Sequence, residues 1–251
     1  VADPVSLVSR RRFTAVAALV AASMSVEACR RQRSLAGISF QYLRGGRPNR
    51  TYLLIHGDEA TARQVLRESM VKGARGKAYL VSHPTRNIRL ASGGRLDPNR
   101  LFSREGAERN LERLNPQWTR EQIEQELARL DRERPALIEA LLPPPGGLIV
   151  ALHNNGGSYN VTTEVLISNA YSLADLANPS EFFLTTDPED FQRLSTLPYN
   201  VVLQNEATGE DDGSLSRLMA KRGVRYVNLE VLLGRPERQH EMLRALERVL
   251  P

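Results

Sequence analysis

Cysteine is all but missing from this 251-residue chain: Cys29 stands alone. That excludes a disulfide framework and any zinc or iron–sulfur site built from several thiolates. No apolar run reaches the roughly 18 residues that a membrane-spanning helix needs. Lysine is scarce too, with only Lys72, Lys77 and Lys221 among 34 lysines and arginines. The formal charge of +5 is also unevenly placed. Residues 1–33 hold six arginines against Asp3 and Glu27, and the rest of the chain carries 28 basic and 27 acidic residues. A domain so balanced has no electrostatic footprint for a polyanion, so nucleic acid is not an expected partner. What is present, 41% hydrophobic and 25% charged residues, is the composition of a soluble globular protein. The length suits one domain with a core that needs no staple.

The N-terminal segment reads differently from the rest. Ser9-Arg10-Arg11-Arg12-Phe13 precedes a short, mostly apolar stretch from Thr14 to Ala22. This is the layout of a secretory signal, and the arginine pair before Phe13 resembles a twin-arginine export signal. Val26-Glu27-Ala28-Cys29 then resembles a bacterial lipoprotein cleavage box, with Glu27 a poor fit to it. Residues 1–33 are therefore expected to be an export signal, with membrane attachment through a lipidated Cys29 as one form of it. The expected location is the periplasm or cell envelope. The competing reading is an amphipathic helix packed on the domain.

Residues 34–251 are expected to form the folded domain. Thr51–Ile55, Ala78–Val81, Leu148–Leu152, Pro198–Leu203 and Val224–Val231 read as strands. Helices are expected from Ala60 to Gly73, from Thr119 to Leu142 with a kink at Pro135, over Leu215–Arg222, and over Arg238–Leu250. Residues 84–106, rich in Gly, Pro, Asn and Arg, read as an ordered loop, and 204–214 as an acidic, mobile one. Strands alternating with helices give an α/β fold: a single domain with a mixed, mostly parallel sheet flanked by helices.

Ligands of open α/β sheets bind outside the carboxyl ends of the strands. Here His56 and Glu59 follow one strand, His153 ends another and Glu230 lies late on a third. The chain has four histidines, and two of them fall at separate strand ends. Two histidines and a carboxylate leave zinc an open coordination position, and a further carboxylate can take a proton from water. His-x-x-Glu alone is weak evidence, since an acid in a helix first turn is ordinary.

The ordered set is more specific. Strand–His56-Gly-Asp-Glu59–helix, Gly94-Arg-Leu-Asp-Pro-Asn99-Arg100-Leu-Phe102, strand–His153 and strand–Glu230 together resemble the zinc carboxypeptidase family over residues 50–235. The resemblance implies Zn2+ held by His56, Glu59 and His153, and Glu230 as general base. It implies Asn99 and Arg100 as holders of a substrate carboxylate, a task suited to a guanidinium fork. Arg89 is the implied oxyanion stabiliser, with Arg86 and Arg95 competing for that role.

There are departures. Leu101 stands where the family has a second Asn, and of Tyr199 and Tyr226 neither is well placed as the family's tyrosine. His-Gly-Asp-Glu also resembles the succinylglutamate desuccinylase and aspartoacylase branch. The murein peptide amidases are similar in motif and compartment. The implied function is an exported zinc-dependent amide hydrolase acting on small peptides with a free carboxylate, such as peptidoglycan stem peptides. The alternatives are an N-acyl-amino-acid deacylase and a non-catalytic binding protein on the same fold. The implied partner is the peptide or acyl-amino-acid substrate, with no obligate protein partner.

Other polar residues have plainer expectations. His83 reads as structural and His240 as solvated. Asp58 is placed to orient a ligand histidine. Asp211, Asp212 and Ser214 are placed to shape specificity, and Asn154 and Asn155 to contact substrate or form a turn.

Overall fold

The computed structural model describes residues 31–46, 49–206 and 210–251. The export-signal and lipidation expectations for residues 1–30, Cys29 included, lie outside the described residues. Arg31–Arg33, grouped above with that segment, begin the first strand.

Arg31–Pro251 forms one compact unit. Its elements run β1 (Arg31–Leu35), β2 (Ile38–Gly45), β3 (Arg50–Leu54), α1 (Ala60–Val71), β4 (Gly76–Val81), β5 (Ile88–Arg89), β6 (Arg95–Leu96), a 3-10 turn (Pro98–Arg100), α2 (Arg104–Leu114), α3 (Arg120–Leu141) and β7 (Leu148–Asn155). The second half continues with α4 (Val161–Glu164), β8 (Ala170–Ser172), β9 (Phe182–Thr185), α5 (Pro188–Leu194), β10 (Asn200–Leu203), α6 (Leu215–Arg222), β11 (Tyr226–Leu232) and α7 (Pro236–Val249). Nine strands make one sheet in the order β1-β2-β4-β3-β7-β11-β9-β10-β8. The inner run β4-β3-β7-β11 is parallel, and antiparallel pairs join β1 to β2, β2 to β4, β11 to β9 and β10 to β8. This is the expected α/β class.

Alternation along the buried strands divides the core into two layers. Leu53 and Ile55 of the β3 segment face a layer shared with Leu127, Leu130 and Leu137 of α3. Tyr52 and Leu54 face the other, against Val65 and Leu66 of α1 and Met242 and Leu246 of α7. A sheet covered on both faces needs strands that are apolar at every position, as Leu148–Leu152 is. Each fully buried leucine contributes about 1.5–3 kcal/mol relative to exposure.

α3 starts at a capping box, in which Thr119 Oγ1 accepts from Gln122 N at 3.3 Å and Gln122 Oε1 accepts from Thr119 N at 2.9 Å. It runs unbroken through Pro135 and stops at Leu142, just before the proline run. Residues 84–106, expected as a loop, hold the β5–β6 ribbon, the 3-10 turn and the start of α2. Ser103 caps α2 by accepting from Gly106 N at 3.0 Å. β9 and α5 were likewise not expected; their spans of four and seven residues give periodicity little room.

Candidate metal centre and its cleft

β3 and β7 are parallel neighbours, so their C-terminal ends lie side by side. His56 comes two residues after β3, and Glu59 forms the N-cap position of α1. The turn between them needs Gly57, because a Cβ there would overlap the carbonyl oxygen of His83. His153 sits on β7, its ring centroid 5.2 Å from that of His56. Nδ1 of His56 and Nδ1 of His153 face the same atom, Glu59 Oε1, at 2.8 and 3.1 Å. One ligand atom from each of the three residues lies within 4.8 Å of the others, and all three side chains are buried. Glu59 Oε2 is buried with no hydrogen-bond partner. Such an orphan is costly unless a further partner completes it. A zinc ion fits this donor set: two imidazoles, one carboxylate and an acceptor in want of a partner.

The outer nitrogen of His56 is held from behind. His56 Nε2 lies 2.9 Å from Asp97 Oδ1. Asp97 in turn is fixed by Asn99 N at 2.9 Å, and its own N–H donates to Asn110 Oδ1 at 2.9 Å. The orienting acid is therefore Asp97 and not Asp58, whose side chain is exposed at the helix entry. Burial by itself disfavours the His56 imidazolium. The hydrogen-bonded Asp97 and Glu59 carboxylates outweigh it and raise the pKa to about 9. Burial likewise opposes ionisation of Glu59, but His153 and His56 outweigh it and lower the pKa to about 2. Asp97 is also pushed below the usual carboxylate range; burial opposes this, and His56 overcomes it.

β11 runs parallel to β7 with Glu230 registered against His153, which brings the acid about one strand spacing, ~4.8 Å, from the histidine. Glu230 is 5% exposed. Both of its oxygens are held by amides: Asn155 Nδ2 donates to Oε2 at 3.1 Å and Asn228 Nδ2 to Oε1 at 3.1 Å. Burial raises its pKa, His153 opposes the rise and the Glu59 charge adds to it. Tyr226, Asn228 and Glu230 alternate onto one face of β11 and line the cleft together. Tyr199 does not; it packs in the layer below α7, its hydroxyl donating to Glu241 Oε1 at 2.8 Å.

The cleft encloses a cavity of about 510 Å³, within the range of small-molecule sites. Asn99 and Arg100 line it alongside His56, Glu59, His153 and Glu230. Asn99 Oδ1 accepts from Leu215 N at 3.2 Å, so its Nδ2 is the end that can donate to a ligand. Arg100 Nη1 is held by Asp212 Oδ2 at 2.8 Å. The described end of the acidic 204–214 loop is thus anchored. Asp211 accepts from Ser103 Oγ at 3.0 Å, and Gly213, at φ +78, lies so close to the Arg100 carbonyl that a Cβ would overlap it. Ser214 caps α6 and lines the cleft.

Arg89 is not brought to this cleft. Ile88 and Leu90 are buried, so alternation along β5 turns Arg89 the other way, into a neighbouring hollow shared with His83 and Arg95. Of the three competing arginines, Arg86 is the one that lines the cleft. It reaches Asp97 Oδ2 at 3.4 Å and Glu59 Oε1 at 3.7 Å. His83 makes a local contact with Thr85 Oγ1 at 2.9 Å. His240, expected to be solvated, is 12% exposed and pairs with Glu68 Oε2 at 2.9 Å.

Asn154 lines the cleft, but its amide is spent on the scaffold. Its Oδ1 accepts from Ala62 N at 2.7 Å, and its Nδ2 donates to Val231 O and Gln239 Oε1 at 3.2 and 3.1 Å. It ties β7 to α1, β11 and α7. Asn155 forms the turn, accepting from Gly157 N at 3.0 Å, while its amide holds Glu230. Asp97 behind His56, and Asn228, Tyr159 and Glu164 of the cleft lining, are among the residues that sequence reasoning left unassigned. Asp97 carried a signal, as the Asp of the Gly94–Phe102 segment.

No protein-family model matches the chain, and neither does any curated protein. Among solved structures, it is similar to succinylglutamate desuccinylase from Chromobacterium violaceum, at 14% identity and TM-score 0.47, covering 92% of this chain and 76% of that one. A candidate metallopeptidase from Shewanella amazonensis gives 12% identity and TM-score 0.46, covering 93% and 90%. The murein-tripeptide amidase of Escherichia coli O157 gives 15% identity and TM-score 0.44, covering 87% and 89%. At such identities and TM-scores these likenesses assign no chemistry to this chain; its own side chains carry that.

Proposed function

We propose that this protein is a zinc-dependent amide hydrolase acting on small peptide substrates with a free carboxylate. The observation that carries the reading is the registration of Glu230 against His153, which sets a buried carboxylate held by two amides beside the His56–Glu59–His153 group. A zinc ion held by those three residues supplies Lewis acidity, which makes water a nucleophile at neutral pH. Glu230 takes a proton from the attacking water and returns it to the amine as the C–N bond breaks. Its raised pKa suits both halves of that transfer. Asn99 and Arg100 hold the substrate carboxylate, with Arg100 pre-oriented by Asp212. Arg86, at the edge of the metal centre, is the arginine placed to stabilise the oxyanion. Asp97 keeps the His56 ring oriented.

The N-terminal pattern supports action in the cell envelope, where stem peptides of peptidoglycan are the matching substrates. The test is hydrolysis of a panel of muropeptides, dipeptides and N-acyl amino acids by the zinc-loaded protein. Release of an amine from the peptides, lost in Glu230→Gln, is the expected result. Cleavage of acyl-amino acids alone transfers the assignment to a deacylase, and no turnover with zinc bound overturns the hydrolase reading.

A further inference from the structure

His83, Arg89 and Arg95 have no part in the metal centre, yet they are gathered in one place. They share a hollow of about 470 Å³ with Thr85, Arg86 and Asn87, and no acidic residue lines it. Arg89 and Arg95 are direct partners across the β5–β6 ribbon. Ile88 and Leu96 are buried on its other face, so both guanidiniums project from the same, exposed face. Like charges set opposite one another on a ribbon repel. Among the described residues neither guanidinium makes an ion pair that relieves this, whereas Arg86 faces Asp97 and Glu59.

The scaffold holds the two charges where they are. Asn115 clamps the ribbon from behind, its Oδ1 accepting from Arg95 N at 2.7 Å and its Nδ2 donating to Arg95 O at 2.9 Å. The imidazole is set as well. Thr85 N–H donates to His83 Nδ1 at 3.3 Å, which makes that nitrogen the acceptor and leaves the ring proton on Nε2. Two unmatched guanidiniums and an imidazole N–H thus line a space without an acid of its own. A carboxylate would bring one charge and two oxygens. A phosphate group brings about 1.5–2 charges and three oxygens, the closer match to two guanidinium forks. Arg86 lines both the hollow and the metal cleft, so the two adjoin at its side chain.

We infer that Arg89, Arg95 and His83 form a binding site for a phosphate-type dianion beside the metal cleft. The site stands apart from the hydrolase reading, because none of the three residues serves that chemistry. Free phosphate and a phosphoryl group on a molecule held in the cleft present the same oxygens to it. Calorimetric titration of the zinc-free chain with inorganic phosphate and with acetate, at matched ionic strength, reads the site with no metal competing for the anion. Phosphate is expected to bind at least about tenfold more tightly than acetate, the scale of one hydrogen bond to a charged group. Arg89→Gln and Arg95→Gln should each weaken phosphate binding by a similar factor. Arg244→Gln, which removes the same charge from the exposed face of α7, should leave it unchanged. A dipeptide carrying phosphoserine then separates the two sources. Binding tighter than that of inorganic phosphate, and lost in Arg89→Gln, upholds the site and puts the phosphoryl group on the ligand of the cleft; binding no tighter upholds it as a site for free phosphate. No binding of phosphate, binding equal to that of acetate, affinity that survives in Arg89→Gln, or a loss as large in Arg244→Gln overturns the inference.

Discussion

Glu59 and Glu230 are buried to nearly the same degree on adjoining parts of one cleft, yet their environments drive them apart. Glu59 is set between two imidazoles and is held ionised, down to about 2. Glu230 is raised by burial and by the negative charge of Glu59, and His153 and the two neutral amides offset the rise only in part. Burial pushes both acids up; at Glu59 two imidazoles overcome it, and at Glu230 the partners do not. An acid pinned between bases suits a ligand; one that gains and loses a proton readily suits a base. His153 couples them, since it touches the first through Nδ1 and is registered against the second.

Breaking each half separately should give different losses. His153→Ala removes a ligand, so zinc content and turnover should vanish together; elemental analysis beside an activity assay checks this. Glu230→Gln should keep zinc and fold while lowering kcat by about 10²–10⁴, the range of general acid–base catalysis. Asp97→Asn leaves both acids in place but loosens His56, so zinc affinity should fall about 10–100-fold in a chelator competition. Asn155→Ala removes one donor from Glu230, and kcat should fall about fivefold with zinc affinity unchanged, the value of one hydrogen bond.

The smallest effect is on pH. In metal-free protein the raised His56 pKa contributes stability that is complete below 6.5 and lost as pH rises through about 9. The lowered Glu59 pKa contributes above 4.5 and is lost as pH falls toward about 2. The centre therefore stabilises the metal-free protein most between pH 4.5 and 6.5, and the Tm gain on adding zinc should grow above that window, as protons cease to compete. A scan of Tm against pH with and without chelator checks the sign.

The residues that could be read ahead of the structure sit where local sequence and tertiary position coincide. His56, Glu59, His153 and Glu230 each follow or end an apolar strand of at least five residues, and strand ends are where a parallel sheet gathers its chemistry. Arg89 was misplaced because a two-residue strand gives no reliable facing, so the alternation that turns it from the cleft was not visible. Glu164 belongs to a four-residue helix, and its partner Gln204 lies forty positions away. Arg31–Arg33 of β1 were grouped with the expected export signal because four of the strand's five residues are exposed and it owes its strand form to pairing with β2.

The central claim is the metal centre, and zinc stoichiometry of the purified protein tests it most directly. After reconstitution and removal of free metal, about one zinc per chain should be retained, and none by His56→Ala. A wild-type chain that holds no zinc, or a His56→Ala variant that holds as much as the wild type, would contradict the account.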